Sequence, residues 1–314
     1  MPGVPPTRFA YLGPAGTFAE AALRSLPAAA AGIALPQPSV PVALDAVRSD
    51  AADAAVVPLE NSVEGSVAST LDELANGDPL VITREIFLPV HFALLVRPAT
   101  TSYAEIRTVA THPHAEAQVR RWLRTNLPDA EVVLAGSTAG AAAGVAAGDF
   151  DASVSAPIAA SCYRLTALAT DLADNVGAVT RFVLLCRPGQ PPARTGNDRT
   201  SLVAYIRDNH TGALLEVLTE FAVRGINLTR IESRPTKERL GRYCFSLDCE
   251  GHVADARIGD ALAALHRVCA DVRYLGSYPR GDGCAPEPVR LGAADADYSD
   301  AAAWLARIRA DGLS

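Results

Sequence analysis

Three polar turns in the first half of the sequence combine glycine, hydroxyl and amide residues where an apolar run gives way to helical spacing. The first, Gly13-Pro-Ala-Gly-Thr-Phe-Ala-Glu20, contains a capping box formed by Thr17 and Glu20. The second is Pro58-Leu-Glu-Asn-Ser-Val-Glu-Gly-Ser66, and the third is Thr111-His-Pro-His-Ala-Glu-Ala-Gln118. Backbone N–H groups at helix starts attract anions, and neutral side-chain donors suit carboxylate and hydroxyl groups. Taken alone, each turn is also explained by ordinary capping and turn chemistry.

An arginine interrupts an otherwise apolar strand later in the chain. Thr180 and Arg181 stand within Asn175-Val-Gly-Ala-Val-Thr-Arg-Phe-Val-Leu-Leu185. A buried arginine is costly unless it reaches a partner or a ligand. Two interpretations are open at this point: Arg181 binds an anionic ligand, or it lies at a strand edge and pairs with an acid such as Asp174.

Two further groups of polar residues could contribute to a site. Gly136-Ser-Thr-Ala-Gly140 opens another helix and offers two hydroxyls. Gln118 lies one helical turn beyond the start of its helix, so it can face the same cleft as Thr111. His112 and His114 suggest a metal, but two histidines without a third ligand in a recognisable spacing do not predict one. No metal site is therefore expected.

The composition limits the classes of function. The chain of 314 residues is 49% apolar and 20% charged, as in ordinary globular proteins, and its formal net charge is -7. An acidic protein gains no long-range attraction to nucleic acid or to anionic membrane, so neither is expected as a partner. The sequence has no long uncharged apolar run, and residues 1–8 do not resemble a secretory signal. We therefore expect a cytoplasmic protein whose six scattered cysteines are mostly buried thiols.

Strands and helices must hold the polar turns in place, and they alternate up to about residue 186. This alternation predicts an α/β fold with a mostly parallel sheet. Ligands bind beyond the carboxyl ends of such strands, where the polar turns lie. The predicted strands are Arg8–Leu12, Ala54–Val57, Arg107–Thr111 and Ala152–Ser155, and the predicted helices are Thr17–Leu26, Val67–Leu74, Ala115–Leu123 and Pro157–Tyr163.

A segment rich in proline and glycine, residues 187–197, separates this region from a second unit. The second unit has the element order βαββαβ, which is that of a ferredoxin-like fold. We therefore predict domains at residues 1–190 and 198–279, followed by a tail at 280–314 to which no function is assigned. The tail contains a predicted helix, 300–308, with Ala301, Trp304, Leu305 and Ile308 on one face. In the second unit the predicted strands are Thr200–Ile206, Ile226–Arg234, Arg242–Cys249 and Val272–Leu275, and the predicted helices are Gly212–Arg224 and Asp255–Ala270.

The combination of these motifs resembles the prephenate dehydratase family over roughly residues 8 to 279. The resemblance implies a two-lobed catalytic domain that is similar to periplasmic binding proteins, with the active site in the cleft between the lobes. One departure is Thr111, where family members more often have serine, so the hydroxyl is kept. The motifs that carry the resemblance occur in the family's order: Gly13-Pro-Ala-Gly-Thr-Phe18, Pro58-Leu-Glu-Asn-Ser62 with Gly65, His112-Pro113 with Gln118, and Thr180-Arg-Phe182.

The resemblance implies a hydro-lyase that converts prephenate to phenylpyruvate in L-phenylalanine biosynthesis, by loss of hydroxide and carbon dioxide. Aromatisation of the ring drives the reaction, so neither a metal nor an organic cofactor is expected. Thr180 is the expected donor to the leaving hydroxyl, and Arg181 is expected to hold a carboxylate because its planar fork suits that group. The remaining residues expected to bind the substrate are Asn61, Ser62, Thr111, Gln118, Thr17, Ser137 and Phe182.

The second unit resembles an ACT domain, a small module that binds amino acids. Thr211-Gly-Ala-Leu-Leu215 and Glu232-Ser-Arg-Pro235 match the two motifs that form a phenylalanine site between paired subunits in this family. A glycine at position 212 is also explained as an ordinary helix-entry residue, but that explanation does not cover the second motif. The resemblance implies a homodimer or homotetramer under allosteric control by L-phenylalanine. The expected effector residues are Gly212, Ala213, Leu214, Leu215, Asn227, Glu232, Ser233, Arg234 and Pro235.

Two alternatives to prephenate dehydration remain open. An arogenate dehydratase performs the same chemistry on a substrate with an amino group in place of the keto group. A non-catalytic solute-binding or sensor protein could share the two-lobed fold, although the lack of a recognisable signal sequence and the pair Thr180-Arg181 argue against it. Because the sequence opens directly on the first predicted strand, we do not expect a fused chorismate mutase segment.

Overall fold

Strands and helices follow one another closely along the chain in the structure, a computed structural model that describes residues 6–237 and 243–311. Several helices open on a serine or threonine whose side chain accepts a hydrogen bond from the first helical turn. The strands are β1 (Arg8–Leu12), β2 (Ile33–Gln37), β3 (Ala54–Asn61), β4 (Gly65–Ser66), β5 (Val81–Pro89), β6 (Ala93–Val96), β7 (Thr108–Thr111), β8 (Glu131–Leu134), β9 (Ala152–Ser155), β10 (Thr166–Ala169), β11 (Val179–Cys186), β12 (Asp198–Tyr205), β13 (Leu228–Pro235), β14 (Tyr243–Glu250) and β15 (Asp271–Pro279). The helices are α1 (Phe18–Arg24), α2 (Val40–Arg48), α3 (Ala68–Asn76), α4 (Pro113–Asn126), α5 (Thr138–Ala147), α6 (Ile158–Tyr163), α7 (Ala213–Ala222), α8 (Ala256–Val268) and α9 (Asp295–Asp311).

Two separate sheets form the two lobes of the first part of the chain. The first lobe has the strand order β2-β1-β3-β11-β5, with β4 beside β3, and the second lobe has the order β10-β6-β9-β7-β8. The predicted two-lobed α/β fold is therefore confirmed. The expectation of a mostly parallel sheet is wrong, because β11 runs antiparallel to β3 and β6 runs antiparallel to β9 and β10. Two parallel neighbouring strands must be joined by a long crossover, usually a helix. A strand that enters its sheet directly from the other lobe has no such crossover, so it can run antiparallel to its neighbour.

The chain passes between the lobes at two segments, 90–92 and 170–178. These crossing segments are hydrogen-bonded to each other, from Val90 N to Ala178 O at 2.8 Å and from Leu172 N to Phe92 O at 3.2 Å. Each lobe has its own apolar core. Tyr11 and Phe182 are buried in the core of the first lobe, and Leu94, Val109 and Val154 are buried in the core of the second. The strand ends that carry the polar turns are thus held by two independently packed lobes that are joined at adjacent segments.

A third sheet, with the antiparallel order β13-β14-β12-β15, forms the second predicted unit. The helices α7 and α8 share one core with it, in which Leu202, Phe221 and Leu265 are buried. This arrangement confirms the predicted βαββαβ order. Arg242, where one of the predicted strands begins, lies outside the described residues.

The chain divides into two compact units whose limits differ from the predicted domain boundaries. The first unit contains residues 1–70 and 86–187, and the second contains residues 71–85 and 188–314. Residues 71–85 precede the second lobe in the chain but pack with the third sheet. Within the second unit the Glu85 carboxylate accepts hydrogen bonds from the Arg199 guanidinium and, at 2.8 Å, from the Gly281 N–H.

The helix α9 extends further than predicted in both directions. Its first residue, Asp295, accepts a hydrogen bond from the Ala256 N–H at 2.8 Å and so satisfies a free donor at the start of α8. The predicted apolar face is largely exposed, with Trp304 at 48% and Leu305 at 39%. Within residues 6–237 and 243–311, no helix combines the length and the apolar character that crossing a membrane requires.

Candidate active site

A cavity of 710 Å³ in the first unit is lined by residues of both lobes. The first lobe contributes the turn after β1, the end of β3 and the start of β11, and the second lobe contributes the turns after β7 and β8. The cavity therefore lies beyond the carboxyl ends of β1, β3, β7 and β8, which is where the sequence predicts a site. Six of the predicted binding and catalytic residues line it: Thr17, Asn61, Gln118, Ser137, Thr180 and Phe182.

Four helices begin at this cavity. Thr17 and Phe18 open α1, Ala68 and Ser69 open α3, His112 caps α4, and Ser137 caps α5, and all of these residues are in the lining. Each helix start carries a partial positive charge from its unpaired N–H groups and its macrodipole. The cavity is therefore favourable for an anionic ligand even though the whole chain is acidic.

The orientation of the Asn61 amide fixes what the Thr180 hydroxyl can do. Asn61 Oδ1 accepts hydrogen bonds from the N–H groups of Val63 at 2.8 Å and Glu64 at 3.0 Å. Its Nδ2 must then be the group that donates to Thr180 Oγ1, at 2.8 Å. Because Thr180 Oγ1 already accepts this bond, its own O–H is directed elsewhere and can donate to a ligand. Thr180 is 8% exposed, so such a bond would form away from bulk water.

Gln118, on the lobe opposite Thr180, provides a hydrogen-bond acceptor. It is 9% exposed, and its Nε2 donates to Glu64 Oε1 at 3.4 Å. Its Oε1 has no hydrogen-bond partner among the described residues. A buried amide oxygen without a partner is costly, so a donor on a bound ligand would stabilise it.

Two predicted substrate-binding residues are used elsewhere and are not in the lining of the cavity as described. Thr111 is fully buried, and its hydroxyl donates to Val154 O at 2.8 Å inside the second sheet. Ser62 exchanges hydrogen bonds with β11, because its N–H donates to Val179 O and its Oγ accepts from Val179 N, both at 2.9 Å. Ser62 therefore holds the turn after β3 against the start of β11 and positions Asn61 opposite Thr180.

Arg181 lies between two cavity-lining residues but is not itself in the described lining. It is 4% exposed and stands opposite Glu60 in the pairing of β11 with β3. Side chains alternate along a strand, so Thr180 and Phe182 share one face and Arg181 has the other. Asp174, the acid considered as its partner, instead accepts hydrogen bonds from the N–H groups of Arg121 at 2.7 Å and Trp122 at 3.1 Å.

Among the lining residues that were not predicted as ligand-binding groups are Glu64 and His112. His112 Nδ1 accepts a hydrogen bond from the His114 N–H at 3.2 Å, which leaves Nε2 as the N–H donor of the neutral ring. Burial, helped by the neighbouring His114, lowers the pKa of His112, so the ring stays neutral at pH 7. Both residues lie in the polar turns that predicted the site, so position in those turns was the available signal.

The second unit contains a smaller pocket of 260 Å³ at the start of α7. Gly212 opens the helix with a φ of +95°, a conformation that favours glycine, and provides no side-chain cap for the N–H groups of the first turn. At the pocket edge, His210 Nε2 lies 2.9 Å from Glu216 Oε1, and this contact raises the pKa of His210. Five of the predicted effector residues line the pocket: Gly212, Ala213, Leu214, Leu215 and Ser233.

The other predicted effector residues are not in the described lining of this pocket. On β13 burial alternates from residue to residue, so Ser233 faces one side of the strand while Glu232 and Arg234 face the other. Arg234 donates to Asp72 Oδ1 from Nη2 at 2.8 Å, and the Asn227 carbonyl accepts from the Glu250 N–H at 3.0 Å. Pro235 lies on the same exposed face as Ser233, two residues further along.

The fold and the site together define a class: a two-lobed α/β enzyme whose cleft is suited to an anion, carried on one chain with a small βαββαβ module. Comparison with known proteins gives the family. The family model for prephenate dehydratase matches residues 9–190, and the model for the ACT domain matches residues 200–267. The chain belongs to the prephenate dehydratase family, whose members are carbon–oxygen hydro-lyases.

Individual relatives agree with this assignment. A prephenate dehydratase of Amycolatopsis methanolica is 55% identical over 304 residues, which cover 96% of this chain and 98% of that protein. The crystal structure of a prephenate dehydratase from Arthrobacter aurescens in complex with L-Phe is 46% identical, with a TM-score of 0.91 over 96% of this chain and 99% of that one. A structure described as the quorum-quenching acylase GqqA is 29% identical, with a TM-score of 0.79 over 88% of this chain and 98% of that one.

Proposed function

We propose that the chain catalyses the decarboxylating dehydration of prephenate to phenylpyruvate in L-phenylalanine biosynthesis. The observation that carries the proposal is the Thr180 hydroxyl, which Asn61 orients as a donor inside a cavity surrounded by helix starts. A dianion that must lose hydroxide needs these two features: a positive environment and a positioned hydrogen-bond donor. Membership of the prephenate dehydratase family supports the substrate assignment.

The reaction breaks two bonds of the ring. The bond from the ring to its carboxylate carbon breaks and releases carbon dioxide, and its electron pair enters the ring. The bond between the opposite ring carbon and its hydroxyl breaks at the same time, and the oxygen leaves with its electron pair as hydroxide. Thr180 donates a hydrogen bond to that oxygen while negative charge develops on it, which stabilises the transition state more than the ground state. The aromatic ring of the product supplies the driving force.

The two carboxylates of prephenate are held by groups on both lobes. The starts of α1 and α3 on the first lobe and of α4 and α5 on the second provide unpaired N–H groups without a large desolvation cost. The Nε2–H of neutral His112 is a further donor. Arg181 is proposed as the cation that binds a carboxylate, on the basis of the family triplet Thr180-Arg181-Phe182.

L-Phenylalanine is the proposed allosteric effector, and the pocket at α7 is its proposed site. The helix start after Gly212 suits the carboxylate of an amino acid, and Ala213, Leu214 and Phe245 give the pocket apolar walls. The related Arthrobacter aurescens structure contains L-Phe. We also propose a homodimer or homotetramer, because the outward face of β13 exposes Ile231 at 44% on an edge strand.

Arogenate dehydration is a second candidate that one observation favours. Glu64 places a carboxylate in the lining of the cavity, and a carboxylate can pair with the ammonium group that distinguishes arogenate from prephenate. A competition assay between the two substrates separates the candidates. A larger kcat/KM for prephenate supports the proposal, whereas a larger kcat/KM for arogenate that Glu64→Gln abolishes would replace it.

The catalytic geometry is tested by Asn61→Asp. Aspartate keeps the size of the side chain and can still accept from the Val63 and Glu64 N–H groups, but it cannot donate to Thr180. The Thr180 hydroxyl would then donate to the new carboxylate and would be lost to the substrate. We expect kcat to fall by roughly 10²-fold or more. A kcat close to that of the unchanged protein would mean that Asn61 does not orient the catalytic hydroxyl.

A further inference from the structure

Helix α3 belongs to both compact units of the chain. Its first residues, Ala68 and Ser69, line the large cavity, and the Thr70 hydroxyl donates at 2.6 Å to Pro58 O on β3, the strand that ends at Asn61. From Leu71 onward the helix belongs to the second unit. The backbone hydrogen bonds of a nine-residue helix link its successive turns, so the two ends of α3 are coupled through its own backbone.

In the second unit, a single carboxylate on α3 is held by two cations. Asp72 Oδ1 accepts from Arg234 Nη2 at 2.8 Å and from Arg234 Nε at 3.2 Å, and Asp72 Oδ2 lies 2.7 Å from Lys237 Nζ. The side chains of Asp72 and Arg234 are 20% and 22% exposed. Burial alone would raise the pKa of Asp72, but the hydrogen bonds from Lys237 and Arg234 outweigh burial and keep it below the usual value.

The carboxyl end of α3 is held by two other strands of the same sheet. Arg273 Nη1 on β15 donates to Gly77 O at 2.6 Å and to Leu74 O at 3.2 Å. The Tyr205 hydroxyl on β12 donates to Ala75 O. These donors satisfy carbonyl groups that the last turn of a helix leaves unpaired. Among these attachments, that of Asp72 is made through a carboxylate, and its partner strand β13 also reaches the small pocket.

Strand β13 connects the small pocket to Asp72 within one peptide unit. Ser233 lines the pocket, and the next residue, Arg234, projects from the other side of the strand to Asp72. A ligand that contacts Ser233 and shifts or rotates β13 therefore changes the position of the Arg234 guanidinium relative to α3. At the other end of α3, no intermediate residue has to connect the helix to the cavity, because the first residues of α3 line the cavity themselves.

We infer that α3 carries the regulatory signal from the small pocket to the active-site cavity, and that Asp72 is the residue through which β13 acts on it. The inference rests on the proposed control by L-phenylalanine and adds the route by which that control operates. L-Phenylalanine in the pocket favours the arrangement of β13 that binds L-phenylalanine better. The pair Arg234–Asp72 then transmits this change of arrangement to α3 and to the end of β3, where Asn61 lies. Asp72 is a coupling residue and contacts neither ligand.

The variant Asp72→Asn tests this inference on the full chain, because asparagine keeps the shape and removes the charge. In the absence of L-phenylalanine we expect kcat and KM within about 2-fold of the unchanged protein, because Asp72 does not line the cavity. Calorimetry should give an L-phenylalanine Kd within a few-fold of the original. Saturating L-phenylalanine should nevertheless leave most of the activity, whereas it strongly inhibits the unchanged protein.

A reciprocal measurement separates coupling from a merely structural role. If the two sites are coupled, a saturating product such as phenylpyruvate weakens L-phenylalanine binding by the same factor by which L-phenylalanine weakens binding at the cavity, and this factor is typically about 5- to 150-fold. In Asp72→Asn the factor should fall close to 1. The matched control is Asp260→Asn. In the same unit, Asp260 Oδ2 lies 2.6 Å from Arg224 Nε, so this variant also removes the charge of a carboxylate that is paired with an arginine. The control should keep the coupling factor.

Each outcome of the experiment decides a different point. Full inhibition of a folded Asp72→Asn protein, or an equal loss of coupling in Asp260→Asn, overturns the role of Asp72. Failure of L-phenylalanine to bind the unchanged protein overturns the proposed effector and, with it, the inferred route. If Asp72→Asn does not fold, Lys237→Gln removes one of the two cations from Asp72 and should reduce the coupling factor by part of its value. An unchanged factor in that variant would also overturn the inference.

Discussion

At the scale of single residues, the proposed chemistry depends on the direction of one amide. Asn61 accepts two backbone N–H groups with its oxygen, so its nitrogen must donate to Thr180. This arrangement gives the Thr180 hydroxyl one remaining role, that of a donor. In the proposed reaction Thr180 therefore needs no adjacent base to act on the leaving hydroxide, because the proposed role requires only a positioned hydrogen bond in a shielded cavity.

Replacing Thr180 by valine removes this donor and keeps the shape of the side chain. We expect Thr180→Val to lower kcat by roughly 10²- to 10⁴-fold while KM changes little, since the lost bond forms mainly in the transition state. Steady-state kinetics on prephenate measure both constants. Thr180→Ser is the matched control because it keeps the hydroxyl, and it should retain much of the activity. A Thr180→Val enzyme within a few-fold of the original kcat would remove Thr180 from the reaction.

Arg181 is predicted to bind a carboxylate, and the structure shows it buried on β11 opposite Glu60. Arg181→Lys keeps the charge but loses the planar fork, so we expect KM to rise more than kcat falls. Thermal unfolding of the same variant reports whether the guanidinium also stabilises the fold. An unchanged KM together with a lower Tm would assign Arg181 to structure and leave the helix starts to hold the substrate.

One substitution that the sequence suggests as a test of the effector site is complicated by the backbone. Gly212→Val would crowd the small pocket, but Gly212 has a φ of +95°, which a β-branched residue adopts only with strain. Ser233→Val crowds the same pocket from a strand, where valine is well tolerated. We expect Ser233→Val to keep its activity without L-phenylalanine and to weaken L-phenylalanine binding by at least 10-fold in calorimetry. Unchanged affinity would place the effector elsewhere.

At the scale of secondary-structure elements, the sequence predicts many of the strands and helices but misses others, among them the amphipathic helix α2. Strands β1 and β9 match their predicted limits, and α4 extends the predicted helix at both ends. No element is predicted for β2, which carries Pro36 and lies at the edge of its sheet, where proline is tolerated. Periodicity does not report such an edge strand, because pairing on one side only places few constraints on its side chains.

The same limit applies to the candidate site. The polar turns predict which segments meet at the cavity, because the carboxyl ends of neighbouring strands lie at one edge of a sheet. They do not predict which side chains in those segments face it. Three predicted residues are each adjacent in the chain to a residue that lines the cavity: Ser62, Thr111 and Arg181. A shift of one residue along a strand places the side chain on the opposite face of the sheet.

The position of residues 71–85 depends on a close contact between two backbones. An ideal Cβ on Gly276 of β15, where φ is +131°, would lie 2.2 Å from the carbonyl oxygen of Ile82. Gly276→Ala must therefore displace β5 or β15, and we expect a loss of roughly 1 to 3 kcal/mol in the free energy of unfolding. Denaturant titration followed by circular dichroism measures it.

Gly259 on α8 provides the control for this substitution. Its added Cβ would meet nothing closer than Val253 O at 3.6 Å, which is an ordinary contact. Gly259→Ala should therefore stabilise the protein by roughly 0.5 to 1 kcal/mol, because alanine is favoured over glycine within a helix. Equal stability of the two variants would show that the strand β15 and residue Ile82 are not in contact.

At the scale of the whole molecule, local sequence patterns predict the order of the two units along the chain but not which segments belong to each unit. The proline-rich segment 187–197 predicts a boundary near residue 190, and the third sheet does follow it. Residues 71–85 nevertheless belong to the second compact unit through contacts with residues more than 100 positions away, such as those of Glu85 with Arg199 and of Asp72 with Arg234. Periodicity within a short window carries no information about such distant partners.

A buried ionic network in the second unit makes the stability depend on pH. Asp282 accepts hydrogen bonds from Arg199 and Arg280, at 2.9 and 2.8 Å. Burial alone would raise the pKa of Asp282, but the Arg280 guanidinium and the Cys284 N–H outweigh burial and lower it to about 2. A carboxyl with a lowered pKa stabilises the fold above its unfolded-state pKa, and this contribution is lost as the pH falls through the folded-state value.

We therefore expect the free energy of unfolding to decrease between about pH 4 and pH 2, with Asp282 contributing about 2 kcal/mol of that decrease. Denaturant titrations at a series of pH values measure the dependence. Asp282→Asn should be less stable at pH 7 and should show a shallower loss in acid. An acid dependence identical to that of the unchanged protein would mean that Asp282 is not ionised differently in the folded and unfolded states.

The most direct test of the central claim is turnover of prephenate by the purified chain, followed by the ultraviolet absorbance of phenylpyruvate. We expect saturable turnover that persists after treatment with a metal chelator, because Thr180, Asn61 and the helix starts supply the proposed chemistry. We also expect Thr180→Val to abolish nearly all of it. Absence of turnover by the folded protein, or turnover that requires an added metal ion, would contradict the account.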